Sequence, residues 1–148
     1  MANQEHLYFL KQGPTYWNQW RKANSGIRPD LSKADLSFAN LKFLDLSKAD
    51  LSFAKLTSAH LEGADLREAN LSLANLTSAN LSAADLRHAN LTGADLTQAD
   101  LSQADFSFAN LRVATLNGTD LRDTKLEAAN LDGAIMENVK KRRGFFGR

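Results

Sequence analysis

Ala64-Asp65-Leu66-Arg67-Glu68, Ala69-Asn70-Leu71-Ser72-Leu73 and Ala74-Asn75-Leu76-Thr77-Ser78 are three consecutive copies of one five-residue unit. Every fifth residue from Leu31 to Met136 is large and apolar. There are twenty-two such positions, twenty of them Leu and the others Phe106 and Met136, with no insertion or deletion. Ala stands two residues before the central one in eighteen units, and Asp or Asn one residue before it in seventeen. An internal repeat of this regularity outranks local propensity as evidence for the fold.

A period of five suits neither regular element. Five residues advance an α-helix by about 500°, so the leucines would spiral around it instead of forming a stripe. In a flat strand an odd period sends successive leucines to opposite faces. The chain must therefore turn once per unit and wind into a coil with every central residue inside. The Ala two positions earlier points the same way, and its small side chain leaves room for the leucines.

The residue after each central one indicates how many units make a coil. Units centred on Leu31, Leu51, Leu71 and Leu91 carry Ser32, Ser52, Ser72 and Thr92. Those on Leu36, Leu56, Leu76 and Leu96 carry Ser37, Thr57, Thr77 and Thr97. The two remaining sets, Lys42, Glu62, Ser82 and Ser47, Arg67, Arg87, are mostly charged. This segregation predicts a super-period of twenty residues, four units per turn.

The Ala-(Asp/Asn)-Leu-x-x unit resembles the signature of the pentapeptide repeat family, in particular its bacterial, cyanobacterial-type members. The resemblance implies an all-β solenoid, a right-handed quadrilateral β-helix. Over residues 29–138 it predicts about 5.5 coils, a rod roughly 26 Å tall at the usual strand spacing.

The chain has 148 residues, room for one domain with short ends, and no cysteine, so neither disulfides nor thiolates contribute. The expected organisation is a helical N-terminal cap over 1–28, the repeat over 29–138 and a basic tail over 139–148. The first thirty residues contain no uninterrupted apolar stretch, only Leu7 to Leu10 between polar neighbours, which makes cytoplasmic the default compartment. The net charge of +1 hides a division: residues 29–138 hold sixteen Asp and Glu against nine Lys and Arg, leaving −7 between basic ends.

A solenoid must close its terminal coils, because unpaired edges invite stacking. The sequence predicts helices near Glu5–Lys11 and Thr15–Ala23, broken at Gly13-Pro14. Leu7 and Leu10, then Trp17 and Trp20, each share a helix face. The stretch Trp17 to Arg21 is similar to N-terminal segments of bacterial family members. Two readings stand: Trp17 and Trp20 lid the first coil, or they bind a peptide. At the other end Lys140, Lys141, Arg142 and Arg143 precede Phe145 and Phe146. There the aromatics cover the last coil, or they join two copies tail to tail, or the basic run contacts nucleic acid or an acidic lipid surface.

Both residues after each central one face solvent, so apolar side chains there are informative. Phe38, Phe43, Phe53, Leu73, Phe108 and Val113 occupy the second position. Phe53, Leu73 and Val113 share one side, interrupted by Gly93. Phe38 and Phe43 lie in the first coil and are either buried beneath the N-terminal helices or part of a contact patch. Another side stacks Asp45, Asp65, Asp85 and Asp105, with Arg67 and Arg87 placed to neutralise them. The alternatives for that column are anion mimicry and cation binding.

Chemistry is missing from this pattern. His6, His60 and His88 show no metal-ligand spacing and read as polar surface residues, no nucleophile turn or phosphate-cradling loop is present, and the eight glycines are scattered, several of them at a unit's fifth position. The expectation is a non-enzymatic protein-interaction scaffold with no cofactor, no metal and an unknown protein partner, and with a homodimer through the tail as an option. Family resemblance adds a DNA-mimic modulator of DNA gyrase as an alternative. Duplex DNA, however, carries about one charge per 1.7 Å, or roughly fifteen over such a rod, against −7 here. Nucleic-acid or membrane contact through the tail is the least favoured reading.

Overall fold

The computed structural model describes residues 1–142. Its backbone pairs in parallel at a constant offset of twenty residues, from Asp30 with Asp50 through Asn75 with Asp95 to Asp120 with Lys140. Each coil therefore consumes four units, as the column pattern predicts. Pairing continues beyond the last unit to Lys140, whose N–H donates to the Thr119 carbonyl.

Corners arise in the same way in every unit. The second residue after the centre has φ between 53° at Val113 and 72° at Gly133, and in all units but the last the next N–H returns to the central carbonyl, as in Ala79 to Leu76 at 2.9 Å. Positive φ at this position is the mark of a type II turn, which favours glycine. Glycine stands at only four of these corners, Gly63, Gly93, Gly118 and Gly133; the other eighteen hold L side chains in the left-handed region.

In the middle of the rod, a unit with Asp or Asn before its centre satisfies all of its backbone donors. In the unit centred on Leu76, the N–H of Leu76 donates to Asp95 O at 2.7 Å, Ser78 to Thr97 O at 2.9 Å and Asn80 to Ala59 O at 3.0 Å, all across coils. Ala79 closes the turn, which leaves Thr77, whose N–H donates to Asn75 Oδ1 at 3.0 Å. All seventeen Asp and Asn residues at this position accept the same bond from two residues ahead. The motif calls for Asp or Asn because only a short side-chain oxygen reaches the one N–H that neither turn nor ladder uses.

Inside, the central leucines and Phe106 are buried, and Ala fills the gaps between them. Thr119 and Thr124 replace Ala near the end and are buried too, their hydroxyls donating to Leu116 O at 2.9 Å and Leu101 O at 2.8 Å. Leu126, Leu131 and Met136, in the last coil, are only partly buried.

Two helices close the other end: α1 (Gln4–Lys11), capped by the Asn3 side chain, and α2 (Pro14–Ala23), with Pro14 in its first turn. They stand in for a missing coil. Asn3 N–H donates to Asp30 O at 2.9 Å, and Asp30 N–H donates to His6 Nδ1 at 2.9 Å. Trp17 Nε1 donates to Asp45 O at 2.8 Å, and Asp45 N–H donates to Asn18 Oδ1 at 2.8 Å. The buried Arg21 guanidinium reaches Asp45 O, Ile27 O and Ser47 O. His6 is thus not a surface residue: it is buried as an acceptor for the first coil's edge.

Candidate interaction surface

The corners carry the side chains that the sequence singles out. Phe53, Leu73 and Val113 lie exposed on one corner column, at φ of 58°, 58° and 53°. A β-branched residue such as Val113 is an unfavourable occupant of that conformation. Gly93 stands between Leu73 and Val113 on this column. The Leu73 side chain leans over it, and a Cβ built on Gly93 would lie 2.8 Å from Leu73 Cδ2. Val113 leans over Gly133 in the same way, at 3.0 Å.

This lean explains the repeat glycines. Phe43 lies over Gly63 and Gln98 over Gly118, so each corner glycine sits one coil after a bulky corner residue. The four fifth-position glycines are therefore each paired with a bulky residue twenty positions earlier in the sequence.

Phe38 and Phe43 are 73% and 71% exposed, so of their two readings burial beneath the helices fails. The cause is geometric: corner side chains project away from the coil axis, whereas α1 and α2 sit on its end. On a different corner column, that of Lys48 and Glu68, Phe108 stacks on His88 with centroids 5.0 Å apart and planes 8° apart. Beside this pair Arg67, Glu68 and Arg87 complete a shallow depression.

Those arginines are committed to the carboxylate column. Arg67 and Arg87 each bind their own Asp at 2.6 Å, and Arg67 reaches Asp85 at 3.8 Å. Asp45 is met by Arg21 at 3.7 Å and Asp105 by Lys125 at 3.9 Å. Hydrogen bonds from the Arg87 side chain hold Asp85 below the ordinary carboxylate range, and Arg122 does the same for Asp120. Among the described residues no group of three or more His, Cys, Asp or Glu is arranged to hold a metal.

At the ends, Trp17 is fully buried, and the half-buried Trp20 packs against Trp17, Phe9 and His6 at centroid distances of 5.1, 5.0 and 5.2 Å. Of the basic run, Lys140 belongs to the coil through its backbone, Lys141 also makes contacts, and Arg142 pairs with Asp123 at 2.8 Å. Arg143, Phe145 and Phe146 lie outside the described residues. No described helix is long and apolar enough to cross a membrane.

The family model for pentapeptide repeats matches in overlapping segments that together run over residues 34–140, more than half of the chain. The chain belongs to the pentapeptide repeat family. It is similar in structure to a pentapeptide repeat protein of the Arabidopsis thaliana thylakoid lumen, at 36% identity and a TM-score of 0.62, over 64% of this chain and 66% of that one. A pentapeptide repeat protein from Nostoc PCC 7120 matches at 32% identity and a TM-score of 0.58, over 84% of this chain and 93% of that one. No match was found among curated protein sequences. Membership brings with it the right-handed quadrilateral β-helix, in agreement with the four-unit coils.

Proposed function

We propose that this member of the family is a non-enzymatic protein-interaction module whose contact surface is the corner formed by Phe53, Leu73 and Val113. One observation carries the reading: three exposed apolar side chains occupy left-handed backbone on a single corner, and two of them, Leu73 and Val113, lean over Gly93 and Gly133. Keeping such residues at positions that suit glycine costs stability and exposes apolar surface, a combination that points to a binding role. Phe108, Phe38 and Phe43 provide lesser apolar patches on other corners.

The test uses Phe53→Asn with Leu73→Asn, since Asn tolerates the left-handed region and the rod should remain folded. Partners captured from the host lysate by the parent chain should be lost with the double variant. Retention of the same protein by both would remove this corner from consideration. The gyrase-directed DNA-mimic reading is weaker, because Arg67, Arg87 and Arg122 neutralise the carboxylates that would have to imitate phosphates.

A further inference from the structure

The N-terminal helices close only half of the first coil. In later coils, the residue before each central one offers both its N–H and its C=O toward the preceding coil, and the residue after the centre offers its C=O. On the first coil the helices and their side chains meet these groups at Asp30, Asp45 and Ser47. On the two intervening sides, the N–H and C=O of Asp35 and Asn40 and the carbonyls of Ser37 and Lys42 have no partner among the described residues.

A cleft of about 270 Å³ opens above this stretch, walled by Leu10, Gly13, Pro14, Leu36, Ala39 and Leu41. Lys11 and Asn40 complete its lining, and no carboxylate does. The exposed Phe38 and Phe43 flank the segment between them. Charge is divided to match: residues 1–49 carry seven Lys and Arg against four Asp and Glu, +3, whereas residues 50–138 carry six against thirteen, −7.

We propose that the open edge over residues 35–42 binds an acidic peptide segment of a partner protein that follows the edge around the Phe38 corner. The segment pairs its backbone with Asp35 and Asn40, places one apolar side chain in the cleft and sets a carboxylate near Lys11. Unpaired edges accept added strands by main-chain bonding, and a pocket for an alternate side chain gives selectivity. This inference rests on the reading of the chain as a binding module but uses a surface separate from the Phe53 corner.

The experiment is an amide NMR titration of the full chain with the peptide acetyl-Glu-Val-Leu-Val-Glu-amide. The expected result is shifts confined to residues 10–14 and 35–43, with hydrogen exchange slowed at the Asp35 and Asn40 amides. A peptide N-methylated at its central residues should lose binding, because it cannot pair with the edge. Lys in place of Glu in the peptide, or Lys11→Glu in the protein against the acidic peptide, should each weaken binding about five-fold. Equal binding by the N-methylated peptide, or no shift at millimolar peptide, overturns the proposal. So does protection of the Asp35 and Asn40 amides in a dimer without peptide, which would make a second copy the occupant. The Phe53→Asn, Leu73→Asn variant should bind the peptide unchanged, so failure at the edge is distinguishable from failure at the corner.

Discussion

Substituting Gly63 by Ala tests the corner packing where its geometry is tightest. A Cβ there would run into Phe43 Cε1 and lie 2.6 Å from Cδ1, so the ring must move. At φ +65° the new side chain also carries the left-handed penalty, about 1–2 kcal/mol. Phe43 is 71% exposed and can swing outward, so the clash resolves as a displaced rotamer, costing about 0.5–1.5 kcal/mol. In a Phe43→Ala background only the backbone part of the cost remains. The coupling between the two substitutions should therefore be about 0.5–1.5 kcal/mol, read from urea unfolding of the two single variants and the double. Trp17 and Trp20 report by fluorescence on the cap next to this coil, and far-UV circular dichroism follows the rest. Additivity within about 0.3 kcal/mol would refute the inference that the ring lies on Gly63.

Three further outcomes are expected. Leu76→Asp puts a charge at a fully buried position and should abolish the cooperative melt, whereas a parent-like melt would mean that the inward face is misassigned. Asn75→Ala removes the acceptor for Thr77 N–H and should cost about 1 kcal/mol in denaturant titrations, with Asn75→Asp near neutral. Asp85 and Asp120 are held below the usual carboxylate range, so the unfolded chain takes up protons first as pH falls through about 4. The stability they contribute is complete above that pH and lost below it. Asp85→Asn, which can keep the turn acceptor, should flatten the decline of melting temperature between neutral pH and about pH 3, and an unchanged slope would count against the Arg87 contribution.

The sequence displayed the coil through residues that must face inward. Twenty leucines at strict spacing leave no other way to bury them, and the Ser and Thr columns recorded the twenty-residue turn. The roles of Asp and Asn were harder to read, since they depend on which backbone N–H the ladder leaves over. The choice between burial and exposure for Phe38 and Phe43 was open for a related reason: the period says that a residue is outside, but not whether it projects from a side or from a corner. His6 was illegible because its partner, the Asp30 amide, is distant in sequence and is backbone, which carries no residue-type signal. The open edge at residues 35–42 was equally hidden, because it is defined by groups that the helices fail to reach.

The left-handed corner has a consequence for how such a chain can change length in evolution. Each unit turns the path by a quarter revolution, so deleting a single unit between Leu73 and Val113 would carry Val113 to the adjacent corner and break the apolar strip. Removal of twenty residues shortens the rod and leaves every later residue on its original meridian. Length changes that preserve a working surface are thus quantised in whole coils, and a five-residue indel acts on this molecule less as a trim than as a rotation of everything downstream.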